Sequence, residues 1–152
     1  MFLVSGPDLV IATCRAGAIG SFPTANCRTL EDLDQWLGRM VAETKGGAPF
    51  APNLIVHKSN TRLQEDAALV AQHKAPLVIA SVGSPAPIMD TINGYGGRVF
   101  ADIASMRHAE KAIATGVDGL ILLAAGAGGQ TGWANPFAFV RAVRDIYDGP
   151  VV

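Results

Sequence analysis

The chain has 152 residues and a formal net charge of −1, with 49% hydrophobic and 16% charged residues. A chain of this length is expected to form one domain or part of a larger one, and its apolar richness fits strands that are buried on both faces. A net charge so close to zero supplies no basic patch for a phosphate backbone, so nucleic acid is not an expected partner.

Short apolar runs alternate with amphipathic segments along the chain. The runs predict strands at residues 1–4, 19–22, 54–56, 77–81, 99–103, 120–123 and 151–152. Between them, apolar residues recur at the three- and four-residue spacing of helices that cover a core. Helices are predicted to begin where a side chain can accept from the N–H groups of the first turn: at Thr29 with Asp32, Thr61 with Gln64, Ser105, and Asn135 followed by Pro136.

Six βα units followed by the start of a seventh strand predict a parallel α/β protein. Their short and regular spacing favours a TIM-barrel type of (β/α) repeat over an open doubly wound sheet. Because such a barrel needs about 250 residues, residues 1–152 are expected to form a single, incomplete barrel domain. The open edges of its sheet would favour association with another chain or a second copy.

The most informative segment is an apolar strand that continues into a loop with four glycines, Gly126, Gly128, Gly129 and Gly132. Glycine permits positive φ angles and lets backbone N–H groups come close to a ligand. In βα repeats, ligands are held at the carboxyl ends of the strands. The loop is therefore predicted to bind a ligand, against the simpler interpretation that its glycines only form a tight turn.

Cysteine usage and hydropathy place the chain among cytoplasmic proteins. Cys14 and Cys27 have neither metal-ligand nor disulfide-framework spacing, so they are expected to be buried free thiols, and no metal site is predicted. No apolar run approaches the ~18 residues of a membrane span. The first residues also lack the basic region and the long apolar core of a signal peptide.

Several segments occur together in a characteristic order. They are Met1-Phe-Leu-Val-Ser-Gly-Pro-Asp-Leu with Ala16-Gly-Ala-Ile-Gly-Ser, Asn53-Leu-Ile-Val, Arg107-His-Ala-Glu-Lys-Ala, Gly116-Val-Asp-Gly-Leu-Ile and Ala125-Gly-Ala-Gly-Gly-Gln-Thr-Gly. In combination, and over the whole chain, they resemble the nitronate monooxygenases, once called 2-nitropropane dioxygenases. The resemblance implies an FMN-dependent barrel that oxidises nitronates with O₂. Flavin-dependent enoyl-acyl-carrier-protein reductases share the fold and a similar glycine loop.

The resemblance also implies roles for individual residues in cofactor binding. Met1 would lie beside the flavin at the carboxyl end of the first strand, Asn53 would contact FMN, and Gly128 and Gly129 would lie along the cofactor. Flavin barrels commonly hold the phosphate with loops after strands seven and eight. The sequence is expected to end before those two loops.

Two positions depart from the family pattern. The residue after the paired glycines is usually a histidine, proposed to take the substrate's α-proton, but here it is Gln130. A glutamine amide cannot act as a general base. Oxidation of a nitronate, which is already deprotonated, is expected to survive this change, whereas activity on neutral nitroalkanes is not. Asp102 stands where part of the family has a lysine, which changes the charge near the flavin.

Other polar and aromatic residues admit two interpretations each. His57 follows the predicted strand 54–56, where it either replaces the missing base or bonds to nearby backbone as an ordinary loop residue. Asp102 either belongs to the site or caps the helix that opens near Ser105. Trp133 either covers the glycine loop or packs in the core. The remaining histidines, His73 and His108, lie on predicted helices and are expected to be structural or surface residues.

These observations predict an FMN-dependent oxidoreductase that oxidises nitronates or related small carbanionic substrates with O₂. Gln130, His57 and Asp102 are its candidate catalytic residues, with Gln130 and His57 contacting the substrate. One alternative is a flavin-dependent enoyl-thioester reductase. The other is a non-catalytic barrel fragment that associates with another chain.

Overall fold

Helices and strands alternate regularly in the computed structural model, which describes residues 2–152. The helices are α1 (Pro7–Arg15), α2 (Leu30–Glu43), α3 (Leu63–Gln72), α4 (Ala86–Asn93), α5 (Met106–Ile113) and α6 (Pro136–Arg144), and the strands are β1 (Gly20–Pro23), β2 (Phe50–Ile55), β3 (Leu77–Ser81), β4 (Arg98–Ile103) and β5 (Gly119–Leu122). A short 3-10 helix spans Thr24–Asn26. The strands form one parallel sheet in the order β1-β2-β3-β4-β5, which confirms the predicted parallel α/β repeat.

The two faces of the sheet differ in what covers them. On one face, fully buried side chains of the strands pack into a single core with the helices; examples are Phe22, Leu54, Val78, Ala101 and Leu120. The other face carries the alternate residues. Asn53 is in register with Ile79, and Ile79 with Phe100, and all three are only half-buried. We call this second surface the open face of the sheet.

The predicted helix starts are confirmed at three positions. Thr29 and Asp32 form a capping box on α2, with Asp32 N donating to Thr29 Oγ1 at 3.1 Å and Thr29 N donating to Asp32 Oδ2 at 3.2 Å. Ser105 Oγ accepts from the first turn of α5, and Asn135 Oδ1 accepts from the first turn of α6. These caps satisfy N–H groups that the helix itself leaves without partners.

The predicted capping box at Thr61 and Gln64 is wrong. Helix α3 begins two residues later than Thr61, and its N-cap residue, Arg62, makes no side-chain cap bond. Instead, Asn60 Oδ1 accepts from Arg62 N at 3.1 Å. The Arg62 guanidinium then donates to Asp66 Oδ1, at 2.9 Å from Nη2. This local ion pair on the first turn takes the place of the expected cap.

The strand count is also lower than predicted, because residues 2–4 form an exposed turn and residues 151–152 form only a bridge. Leu3 has a φ of 61°, which no strand accommodates, and the chain enters α1 directly afterwards. At the other end, Val151 pairs with Leu120 as an isolated bridge. The sheet therefore has five strands, rather than six and the start of a seventh, in the described part of the chain.

Candidate functional site

The glycine loop follows β5 and folds back over the end of that strand. Ala125 N donates to Ala134 O at 2.8 Å, which joins the two ends of the loop. Thr131 Oγ1 donates to Ala124 O at 2.6 Å and draws the middle of the loop towards the strand. The loop is thus fixed at both ends at the carboxyl edge of the parallel sheet, where the sequence predicted a ligand site.

The glycines of this loop differ in whether the fold requires glycine at their positions. Gly126 and Gly129 have φ angles of +87° and +75°, which side chains rarely adopt. At Gly132 a Cβ atom would collide with the carbonyl oxygen of Leu123. Gly128 meets neither restriction, because its φ is not positive and no heavy atom lies within 4 Å of the place where a Cβ would stand. Neither folding nor packing within the described residues requires glycine at this position.

Successive N–H groups of the loop also remain available, including three around its paired glycines. Those of Gly128, Gly129 and Gln130 donate to no other group within residues 2–152. Consecutive free N–H groups beside open space form a surface against which an acceptor-rich ligand can lie. The loop therefore combines the two features that a ligand contact requires, which are space and unsatisfied donors.

A cavity of about 480 Å³ lies beside this loop, between the carboxyl ends of β3, β4 and β5. We call it the β3–β5 cavity. Its lining consists of a loop after β3, the end of β4, one face of α5 and parts of the glycine loop segment: Val82, Gly83, Ser84, Pro85, Asp102, Ile103, Ala104, His108, Lys111, Ala112, Leu123 and Gln130. Two of the three candidate catalytic residues, Asp102 and Gln130, are thus brought to one cavity.

Asp102 holds a strained backbone segment next to this cavity. Its Oδ1 accepts from Val82 N at 3.3 Å, and Val82 has a φ of 64°. Positive φ is unusual for a β-branched residue and marks local strain. The alternative role, as a cap for α5, is wrong because Ser105 provides that cap. Asp102 therefore connects the end of β4 with the loop after β3.

The carboxyl group of Asp102 is poorly solvated. Burial raises its pKa above the ordinary value, while the Ser81 hydroxyl, the N–H of Val82 and the charge of His108 act in the opposite direction and do not cancel the effect. Ser81 faces the carboxylate without reaching full hydrogen-bond geometry. Its Oγ is buried without a partner among the described residues.

We expect Asp102→Asn to raise the free energy of unfolding at about pH 7. Because the pKa of Asp102 is raised in the folded state, folding binds protons there, and the stability contributed by this group is lost as pH rises through the folded pKa. Asparagine keeps an oxygen for Val82 N and carries no charge. Urea unfolding as a function of pH measures the effect: the difference from the unsubstituted chain should disappear below about pH 3. The substitution Asp90→Asn, at an exposed residue of α4, is the control. An Asp102 variant less stable at neutral pH would contradict the prediction.

The third candidate catalytic residue, His57, lies apart from the cavity. It follows β2, and its Nδ1 is 2.8 Å from Ser59 Oγ and accepts from Ser59 N at 3.3 Å. This geometry matches the interpretation of His57 as a loop residue bonded to its neighbours. Asn53 lies on the open face of β2, and its side-chain amide bonds to no described residue. Met1 is outside the described residues.

Trp133, His73 and His108 lie in three different environments. Trp133 is fully exposed, so it neither packs in the described core nor covers the loop. His73 has the expected structural role, with Nε2 2.6 Å from Asp34 Oδ1. His108 is exposed on the first turn of α5 as expected, but it also lines the β3–β5 cavity.

Sequence reasoning missed the contribution of α5 to the site. His108 and Lys111 are three residues apart, which places them on the same side of a helix. The helix begins directly after β4, whose last residues carry Asp102. That order along the chain could have indicated a histidine and a lysine beside the carboxylate. Among the described residues no group of three His, Cys, Asp or Glu side chains could hold a metal ion.

Comparisons with known proteins support the fold. A curated protein of Rhodococcus jostii, (3aS,4S,5R,7aS)-5-hydroxy-7a-methyl-1-oxo-octahydro-1H-indene-4-carboxyl-CoA dehydrogenase, is 26% identical over 149 residues, which are 98% of this chain and 41% of that protein. FabK from Thermotoga maritima superposes with a TM-score of 0.85 at 23% identity, over 97% of this chain and 46% of that chain. No protein-family model matches the chain.

A nitroalkane oxidase from Streptomyces ansochromogenes superposes with a TM-score of 0.83 at 19% identity, over 97% of this chain and 54% of that chain. The five-stranded repeat is part of a TIM-type barrel. The predicted resemblance to the nitronate monooxygenase type of barrel is thereby confirmed as a likeness of fold. The chain spans about half the length of these proteins. Among residues 2–152, the structure contains no helix with the length and apolarity that a membrane span needs.

Proposed function

We propose that this chain carries the flavin-contacting part of an FMN-dependent oxidoreductase that oxidises small nitronates or related carbanions with O₂. The observation that carries the proposal is Gly128, whose missing side chain leaves open space at the carboxyl end of β5 beside three unpaired N–H groups. The relatives named as an oxidase and a dehydrogenase support oxidoreductase chemistry. A bound flavin would supply the electron transfer, and the protein would orient it and the substrate.

The residues present fit a flavin on the open face of the sheet. An isoalloxazine ring has a flat apolar body with an edge of carbonyl oxygens and ring nitrogens. Asn53 offers an unpaired amide on β2, and Gly128 and Gly129 offer N–H donors and a surface without side chains at β5. Half-buried apolar residues in register with Asn53 on the open face, Ile79 and Phe100, would contact the ring.

Gln130 and Asp102 would act on the substrate side. The Gln130 amide N–H₂ can donate a hydrogen bond to an oxygen of a nitronate anion, which needs no base because its α-proton is already lost. Asp102 would position the loop after β3 through Val82 N.

Gly128→Val tests the cofactor contact. The valine side chain would occupy the open space beside the loop, and we expect it to weaken FMN binding by about tenfold or more through steric exclusion. Quenching of flavin fluorescence during titration of the 152-residue chain measures the affinity. Gly38→Ala, on α2 with only ordinary van der Waals neighbours for the new Cβ, should leave the affinity unchanged. Equal FMN affinity in the Gly128 variant and the unsubstituted chain would contradict the proposed contact.

A flavin-dependent enoyl-thioester reductase is the second candidate. It is favoured by the enoyl reductase domain of MlnA from Bacillus amyloliquefaciens, which superposes with a TM-score of 0.79, and by the carboxyl-CoA dehydrogenase of Rhodococcus jostii. An oxygen electrode separates the candidates: nitronate oxidation consumes O₂ on addition of propyl-2-nitronate without NADH. A reductase consumes NADH with an enoyl thioester and leaves the nitronate untouched.

Association with another chain is a third possibility that the exposed surface supports. Trp133, in the bend before α6, and Phe137, in the first turn of α6, are 100% and 86% exposed. Large apolar side chains grouped in this way are typical of contact surfaces. We propose that they contact a second copy or a further barrel segment. Sedimentation velocity over a range of concentrations would show a single monomeric species if the proposal is wrong.

A further inference from the structure

The charged groups of the β3–β5 cavity are distributed unevenly. Lys111 and His108 stand one turn apart on α5 and are exposed at the cavity rim. The one carboxylate in the lining, Asp102, is half-buried and accepts from Val82 N at 3.3 Å. The walls between these groups are largely apolar. The ammonium group of Lys111 therefore places a positive charge at the rim, and His108 adds a ring nitrogen that can donate a hydrogen bond.

Hydrogen-bond donors also outnumber acceptors around the cavity. The N–H groups of Gly83 and Ser84 donate to no other group within residues 2–152. The Ser84 hydroxyl accepts from Ala86 N at 3.4 Å and keeps its own proton to donate. The Lys111 ammonium and the His108 ring add further donors. Asp102, the one carboxylate in the lining, cannot accept from all of them, so donors remain for a ligand.

A phosphate monoester matches this arrangement better than other common anions. It carries up to two negative charges and three terminal oxygens that accept hydrogen bonds from several directions. Lysine is a common phosphate ligand, acting as a point charge. The apolar remainder of the cavity would then contact the body of the molecule that bears the phosphate.

We propose that the β3–β5 cavity binds a phosphate monoester through Lys111, His108 and the backbone of Gly83 and Ser84. Two molecules that take part in the candidate reactions carry such a phosphate: flavin mononucleotide, and a thioester substrate with a phosphopantetheine tail. Only the choice of these two probe ligands rests on the proposed function. The donors of the cavity are present whichever reaction the chain catalyses.

Matched pairs of probes test the site by calorimetric binding to the 152-residue chain. One pair is FMN and riboflavin, and the other is S-crotonyl-pantetheine 4′-phosphate and S-crotonyl-pantetheine. In at least one pair, the phosphorylated member should bind about tenfold or more tightly, as expected for charge-assisted hydrogen bonds. The pair that shows the preference identifies the source of the phosphate.

Lys111→Gln should abolish this preference while leaving the affinity for the neutral member unchanged. Lys45→Gln, at an exposed lysine that lines a different cavity near the start of β2, is the matched control and should retain the preference. Equal affinity within both pairs, or a preference that survives in both Lys111→Gln and His108→Gln, would overturn the proposal. Absence of nitronate or thioester turnover would contradict the proposed function alone, since the binding preference is measured without turnover.

Discussion

Gly132→Ala is expected to lower the free energy of unfolding by about 3 kcal/mol, the size of a backbone clash that cannot relax locally. The new Cβ would collide with the carbonyl oxygen of Leu123 and would stand 3.4 Å from the carbonyl oxygen of Ala104. Both carbonyls belong to the residues that directly follow a strand, β5 and β4 respectively. They cannot move without disturbing the sheet, so the glycine loop would have to move instead.

Urea unfolding followed by circular dichroism measures the effect of Gly132→Ala. Gly128→Ala is the matched variant in the same loop, and it should change the unfolding free energy by less than about 0.5 kcal/mol because the added methyl group meets open space. If the two variants were equally stable, the loop would not approach β5 as closely as the hydrogen bond from Ala125 N to Ala134 O implies. The pair thus separates the glycine required for folding from the glycine available to a ligand.

The sequence predicted the repeat well where local chemistry determines structure. Strand β3 lies at the predicted residues 77–81, and Thr29, Ser105 and Asn135 cap helices as expected. Side-chain caps and apolar periodicity act over a few residues, so they can be recognised without tertiary information. The likeness of fold to complete barrels followed from the order of these units along the chain.

Elements that depend on distant partners could not be predicted in the same way. Residues 2–4 are apolar enough for a strand, but the N–H of Leu3 donates to Asn26 Oδ1 at 2.8 Å rather than to a neighbouring strand. Apolar composition predicts a strand only if a partner edge is available. The Thr61 and Gln64 pattern failed for a related reason, because Arg62 donates to the distant carbonyl oxygens of Cys27 and Arg28 as well as pairing with Asp66.

The candidate site was predicted in part. Asp102 and Gln130 meet at one cavity because the carboxyl ends of neighbouring parallel strands meet at one edge of the sheet. His57 also follows a strand, but β2 is separated from β4 by β3, so its loop reaches a different part of that edge. Lys111 was missed, although its position on the helix that directly follows β4 could have indicated it.

Gln130→His is expected to confer activity on neutral nitroalkanes. By the resemblance stated above, this position holds a histidine in nitronate monooxygenases, and an imidazole nitrogen can accept the α-proton that a glutamine amide cannot. Positioned general bases contribute about 10²–10⁴-fold. We therefore expect O₂ consumption with nitroethane at about pH 7.5 to rise by at least about 10²-fold over the unsubstituted chain.

A substrate that has already lost its proton and a histidine placed elsewhere separate base catalysis from a general increase in activity. Oxidation of propyl-2-nitronate should change little, because that substrate has already lost its proton. Gln64→His introduces the same side chain on exposed α3, away from the cavity, and should give no activity with nitroethane. A Gln130 variant that oxidises the nitronate but remains inactive on nitroethane would show that residue 130 lies out of reach of the α-proton. The cavity that Gln130 shares with Asp102 would then belong to phosphate binding rather than to proton transfer.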